Sequence, residues 1–106
     1  MQAFRPASPP LTLADFQTSI AANTPPDVAP LLLALWYDAR GDWDRAHSIA
    51  QDVDDADGAL VHAYLHRKEG DLGNAGYWYR QARRPAANDS LESEWARIVA
   101  ELVTRK

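Results

Sequence analysis

The chain has 106 residues, of which 46% are hydrophobic and 25% are charged, as in one globular domain rather than a disordered segment. It contains no cysteine, which excludes disulfide bridges, thiolate metal sites and a cysteine nucleophile. The net charge of -4 argues against nucleic acid and anionic lipid as partners. The longest apolar run, residues 29–37, is too short to cross a membrane, and the amino end carries no signal-peptide run. We therefore expect a cytoplasmic protein without membrane contact.

The amino-terminal part of the sequence divides into an arm and a first helix. Residues 1–10 contain three prolines and no periodic pattern, so we interpret them as a flexible arm preceding a single helical domain of residues 11–106. Thr12 and Asp15 have the spacing of a capping box. Leu13, Phe16 and Ile20 recur at helical spacing, which predicts a short amphipathic helix ending near residue 22.

The next two helices are predicted from turn and cap residues. Asp27 is expected to cap the second helix, and Pro30 is tolerated in its first turn, where the missing N–H has no partner within the helix. Gly41 suits the left-handed position that ends a helix near residue 40. Asp42 then caps a third helix over residues 43–53.

A second glycine–aspartate step, Gly70 and Asp71, predicts another helix–turn–helix. The fourth helix is expected from about residue 58 to 69, capped by Asp55 or Asp57, and the fifth from residue 72 to about 83. Residues 28–53 and 57–84 should therefore form two helical hairpins.

The last predicted helix begins near Asp89 and Glu92, which have capping-box spacing. Its apolar positions form one stripe, expected to cover an exposed face of the hairpins. The stripe consists of Leu91, Trp95, Ile98, Val99 and Leu102. No segment alternates with period two for long enough to be a strand, so the predicted fold is all-α, a compact bundle of about six helices.

The two hairpins are related by an internal repeat. Gly70 follows Gly41 by 29 residues, and the same register superposes Ala34 on Ala63 and Ala46 on Ala75; such repeats indicate stacked supersecondary units. The chain here resembles the tetratricopeptide repeat, with small residues and an aromatic at the helix contacts and a glycine at the turn. The matching residues are Leu33, Ala34, Tyr37, Gly41 and Ala46 in one unit and Gly70, Ala75, Tyr79 and Ala82 in the other. The resemblance implies helical hairpins, flanked here by capping helices, and a peptide-binding role.

One helix face carries an unusual group of polar side chains. His62, His66 and Glu69 lie at i, i+4 and i+7 and so share a stripe of the fourth helix. Two imidazoles and a carboxylate could bind a divalent metal or a small molecule, or exchange protons near neutral pH. Asn74 and Tyr79, from the facing helix, are candidates to line the same site. The alternative is structural: both histidines lie half-buried at a helix interface and bind backbone carbonyls or carboxylates.

Aromatic residues suggest a different function. The chain has four tryptophans and four tyrosines, more large rings than a small core is expected to bury, and surplus aromatic surface commonly anchors partners. We therefore expect a non-enzymatic module that binds a protein partner or self-associates. The candidate surface residues are Trp36, Tyr37, Trp78 and Trp95. No phosphate-binding loop, nucleophile elbow or HExxH motif is present, so we expect no cofactor, and catalysis has no support beyond the histidine stripe.

Overall fold

The computed structural model describes residues 12–104, and this part of the chain is all-helical, with no strand. The predicted fold class is therefore confirmed, whereas the predicted arm lies outside the described residues. None of the described helices is long and apolar enough to traverse a membrane. The helices are α1 (Leu13–Ala21), α2 (Pro30–Ala39), α3 (Trp43–Gln51), α4 (Ala56–Lys68), α5 (Leu72–Ala82) and α6 (Leu91–Thr104).

Both glycine–aspartate steps end one helix and begin the next. Gly41 and Gly70 have φ values of +87° and +91°, which glycine adopts without steric cost. The backbone N–H of Asp42 donates back to the carbonyl of Tyr37 at 2.9 Å, while its side chain caps α3. Asp71 caps α5 in the same way. The predicted turns and these two caps are confirmed.

Two other predicted caps are wrong. Ala29, not Asp27, occupies the N-cap position of α2, and no side chain caps this end. Pro30 reduces the cost of this uncapped end, because it has no N–H to be left unpaired in the first turn and its φ is already helical.

The second correction concerns α6. The Ser90 hydroxyl accepts the hydrogen bond from the backbone N–H of Ser93 at 3.0 Å, so Ser90 is the capping side chain rather than Asp89. The carboxylate of Asp89 instead accepts two hydrogen bonds from Arg97, at 2.9 and 3.0 Å. A bidentate ion pair outcompetes a single hydrogen bond to a backbone amide.

The helices pack as two hairpins covered on one face. α2 contacts α3, α4 contacts α5, and α3 lies against α4, which joins the hairpins. α6 packs on α2 and α4, and α1 closes the bundle against α6 and α2; the expected covering role of the sixth helix is confirmed. Small residues allow the close approach of the helices. The four alanines that share the repeat register, Ala34, Ala46, Ala63 and Ala75, are all buried.

Candidate metal centre

The contact between α3 and α4 brings together three histidines. The chain contains three in total, and His47 of α3 lies against His62 and His66 of α4. One ring nitrogen of each is within 4.8 Å of the other two. His62 and His66 are only 6% and 7% exposed, and His47 is half-buried. We call His47, His62 and His66 the histidine cluster.

The rings of the cluster meet through their nitrogens and faces. The Nε2 atoms of His47 and His62 lie 3.0 Å apart, a hydrogen bond that needs a donor on one ring and a lone pair on the other. His62 and His66, one turn apart on α4, stack with ring centroids 4.8 Å apart. The ring of His47 is nearly perpendicular to each of these two rings. This arrangement requires at least one neutral imidazole in the His47–His62 pair.

Two tryptophans cover the histidine cluster. The indole of Trp43 stacks on His47 with centroids 4.8 Å apart, and its Nε1 donates to the carbonyl of Leu65 at 2.8 Å, which fixes the ring. Trp78 of α5 stacks on His62 at 4.0 Å. These large apolar faces remove water from the imidazoles and limit their rotation.

A carboxylate orients His66. Its Nδ1 lies 2.7 Å from Oε2 of Glu69, so Nδ1 donates to the carboxylate and Nε2 is the ring nitrogen left for another partner. Nε2 in turn lies 3.4 Å from the side-chain nitrogen of Asn74. A histidine that donates its second nitrogen to a carboxylate is the usual arrangement around protein-bound metals.

Burial keeps two of the histidines neutral. Desolvation, followed by repulsion from His47 and His66, lowers the pKa of His62 to about 4. The pKa of His47 is also lowered, first by burial and then by His66. Glu69 and Asp44 act in the opposite direction on His47 but do not cancel this. Both rings are therefore uncharged at pH 7, the state in which imidazole binds metal.

The spacing of the cluster suits a small divalent ion. Zinc–nitrogen bonds of about 2.0–2.1 Å in a tetrahedron separate the nitrogens by about 3.4 Å. The His47–His62 pair, at 3.0 Å, is close to this value. The longest separation allowed by the 4.8 Å range exceeds this value by about 1.4 Å, so binding of an ion would require the rings to move closer together.

The structure gathers four of the five predicted site residues. His62, His66, Glu69 and Asn74 lie together, whereas Tyr79 lies elsewhere: its hydroxyl donates to the buried carboxylate of Glu94 at 2.5 Å. Tyr79 belongs to the inward face of α5, directed at α6. Sequence reasoning missed His47. The available signal was that His47 is the only histidine of the chain besides His62 and His66. Helical periodicity, however, does not say which face of α3 meets α4.

The predicted interaction surface is largely covered. Trp36 and Trp95 are buried, and their indole nitrogens donate to Ser19 Oγ and to the carbonyl of Leu35, respectively. They therefore belong to the core and offer no surface to a partner. The expected surplus of large rings is smaller than predicted, because the bundle has room for both indoles. Tyr37 and Trp78, the other two candidates, are half-buried.

The histidine cluster offers nitrogen donors from three imidazoles, a carboxylate that orients one of them, and a partly dry environment. This chemistry suits the binding of Zn²⁺ or another late first-row divalent metal, for which imidazole is a preferred ligand. A second group of possible metal ligands among the described residues, formed by His66, Glu69 and Asp71, shares His66 with the cluster and is mostly exposed.

No family model matches the chain, and no curated protein or solved structure is significantly similar to it.

Proposed function

We propose that this protein binds a divalent transition metal, with Zn²⁺ as the reference ion, through His47, His62 and His66. The observation that carries the proposal is the convergence of all three histidines of the chain, from two helices, with donor nitrogens within 4.8 Å. Burying three polar imidazoles at one contact between helices costs free energy, and a shared metal ion would offset that cost.

Isothermal titration calorimetry with Zn²⁺ tests the proposal. We expect one ion per chain. In a His47→Gln variant, which keeps a polar side chain at a half-buried position, affinity should fall by about 100-fold or more, since even second-shell substitutions cost about 10- to 100-fold. Asp54→Asn is the matched control, because Asp54 is an exposed carboxylate in the acidic loop after α3. Equal affinity of the parent and His47→Gln would refute the proposal.

The stacked tryptophans provide a second measurement. Co²⁺ or Cu²⁺ bound at the cluster lies beside Trp43 and Trp78, whose rings contact His47 and His62, and these paramagnetic ions quench nearby indole fluorescence. We expect saturable quenching in the parent and none at the same metal concentration in His47→Gln. Quenching that persists in the variant would indicate metal bound elsewhere.

A second candidate function is contact with a protein partner or with another copy of the chain. The supporting observation is that Leu72 and Tyr77 are 68% and 46% exposed, and that the backbone of α5 lies close to that of α4 alone among the described helices. Light scattering across a concentration series tests it. We expect the mass of the parent to rise with concentration. The Leu72→Ser, Tyr77→Ser double variant should keep the mass of the monomer at every concentration. A constant monomer mass and no captured partner would count against it.

A further inference from the structure

Four helices surround a cavity that is separate from the histidine cluster. Side chains of α1, α2, α4 and α6 line it, its volume is about 780 Å³, and one side is open to solvent. α4 contributes Tyr64 and Lys68, each two residues after a histidine of the cluster and therefore on a different face of the helix. Small-molecule sites usually have volumes of about 300–1,000 Å³. The cavity is thus large enough for a small molecule.

Most of the cavity wall is apolar. Its apolar side chains come from α1, α2 and α6, and they are Ile20, Ala39, Leu91, Trp95 and Ala96. Ala39 is exposed, and Ile20, Leu91 and Ala96 are only half-buried, so part of this apolar surface is in contact with water. A ligand that covers it gains free energy in proportion to the apolar area removed from water. The ligand should therefore have an apolar body.

The charges at the inner end of the cavity balance each other. Asp38 is only 2% exposed, and its carboxylate accepts hydrogen bonds from the Tyr64 hydroxyl at 3.0 Å and from the Lys68 ammonium at 2.9 Å. Burial and then this carboxylate raise the pKa of Tyr64, so the phenol remains a donor. Because the carboxylate and the ammonium carry opposite charges, these three side chains together present no net charge to a ligand.

Glu92 carries the remaining charge of the cavity wall. It is exposed, and it makes no hydrogen bond or ion pair with any other residue in the range 12–104. Gln17, the other polar side chain of the wall, is neutral. A single negative charge beside an apolar surface favours a ligand with one positive charge over a neutral or an anionic ligand.

We infer that this cavity binds small molecules that combine an apolar body with one ammonium group. The body covers the apolar wall, and the ammonium group pairs with the carboxylate of Glu92. Affinity comes mainly from the apolar contact, because an exposed ion pair contributes little. Glu92 therefore determines which charge the ligand carries. The inference is independent of metal binding at the histidine cluster.

Protein-observed NMR of the full chain with three matched probes tests the inference. At pH 7, 2-naphthylmethylamine is a cation, 2-naphthylmethanol is neutral and 2-naphthoate is an anion, but all three have the same apolar rings. We expect the amine to bind with a Kd of about 1 mM or lower, as is usual for so small a ligand. It should shift the backbone amide signals of Ala39 and Ala96 and the indole signal of Trp95 more than other signals.

The charge of the probe should determine the order of affinity. The amine should bind about five-fold more tightly than the alcohol, the ratio that an exposed ion pair provides, and the naphthoate should bind most weakly. In Glu92→Gln, which keeps the size of the side chain and removes its charge, the amine and the alcohol should bind equally well. The affinity for the alcohol should be the same in the parent and in this variant.

A pair of alanine substitutions tests the location. Ala96→Phe places a ring in the cavity and should abolish binding of all three probes. Ala100→Phe is the matched control, because Ala100 lies one turn further along α6 at an exposed position and does not line the cavity. It should bind the probes as the parent does.

Each part of the inference has a result that overturns it. If the amine does not bind the parent at its solubility limit, or shifts signals mainly in other parts of the molecule, the cavity is not the site. Equal affinities of the parent for the amine and the alcohol, or a preference for the amine that persists in Glu92→Gln, would show that Glu92 does not select the ligand. The Glu92→Gln comparison stands even if Ala96→Phe does not fold.

Discussion

Gly58 lies inside α4 at a point where another part of the backbone comes very close. A Cβ atom on this residue would stand 1.9 Å from the carbonyl oxygen of Val53, so the loop that leads into α4 packs on the bare Cα. The neighbour is backbone and has little freedom to move. Any side chain at this position must therefore displace the loop or the helix.

We expect Gly58→Ala to lower the free energy of unfolding by about 1–3 kcal/mol, the usual cost of overpacking, although alanine is the better helix former by about 1 kcal/mol. Urea denaturation measures this as a lower midpoint at an unchanged slope. Gly73→Ala is the control: Gly73 lies in α5 with no atom within 4 Å of its missing Cβ, so the same substitution should leave stability equal or higher. If Gly58→Ala and Gly73→Ala change the free energy of unfolding in the same direction, a clash with Val53 is not the cause.

His62 links stability to pH in the metal-free protein. Its pKa in the folded state is about 4, against about 6.5 in an unfolded chain. Between these values the unfolded state binds more protons, so the stabilisation present above pH 6.5 is lost as the pH falls towards 4. The lowered pKa of His47 acts in the same direction.

We expect the free energy of unfolding to fall by roughly 1–3 kcal/mol between pH 6.5 and 4.5. Urea denaturation at a series of pH values measures it, and His62→Gln should flatten the curve. A free energy that is constant over this range in the parent would show that His62 is not held neutral by burial.

At the level of helices, the sequence predicts a helix end correctly where adjacent residues end one helix and cap the next. Asp42 and Asp71 each follow a glycine with positive φ and cap the next helix, so local chemistry suffices. The prediction fails where the side chain has a competing partner: Asp89 binds Arg97, which lies eight residues further along the chain. Cap preferences are worth only about 1 kcal/mol, so a bidentate ion pair can override them.

In the candidate site, too, local spacing along a helix is predicted correctly and packing between helices is not. His62, His66 and Glu69 are adjacent on one helix, and helical spacing alone predicts that they share a face. The contribution of His47 depends on the packing of α3 against α4, which periodicity does not specify. The expected contact of Tyr79 with this site fails for the same reason, since its partner Glu94 belongs to α6.

The helix α6 is attached to the hairpins by a buried polar network. Glu94 is 1% exposed and accepts hydrogen bonds from Arg67 Nη1 at 2.7 Å and from the Tyr79 hydroxyl at 2.5 Å. Burial and then this carboxylate raise the pKa of Tyr79, so the phenol remains a donor. One carboxylate of α6 therefore binds both helices of the second hairpin.

We expect Glu94→Gln to lower the free energy of unfolding by about 1–3 kcal/mol, because the partly buried guanidinium of Arg67 loses its close counter-charge and keeps only the carboxylate of Asp89, 3.9 Å away. Thermal and urea unfolding measure the loss. Glu92→Gln, an exposed residue in the same helix, is the control and should change stability by less than about 0.5 kcal/mol. If Glu94→Gln is as stable as Glu92→Gln, the network contributes nothing to the attachment of α6.

For the whole molecule, the position of the histidine cluster predicts a large effect of metal. The cluster spans α3 and α4, the contact that joins the two hairpins, so an ion bound there is released when the hairpins separate. Zn²⁺ at 100 times its Kd should add about 2.7 kcal/mol to the free energy of unfolding. For a domain of this size, we expect the Tm to rise by about 10 °C or more.

Differential scanning calorimetry with Zn²⁺ and with a chelator measures this shift. His47→Gln should show almost none, whereas Asp54→Asn should match the parent. An equal Tm with and without saturating Zn²⁺ in the parent would mean that folded and unfolded chains bind the ion equally.

The gathering of every histidine into one buried cluster also affects how the protein exchanges protons with its surroundings. Histidine is the side chain that ordinarily supplies buffering capacity near neutral pH, and here the pKa values of His47 and His62 are displaced downwards. The net charge of -4 therefore varies less around neutrality than three free imidazoles would allow. A potentiometric titration should show shallow proton uptake between pH 7.5 and 6.5, and the missing uptake should reappear when the chain is unfolded.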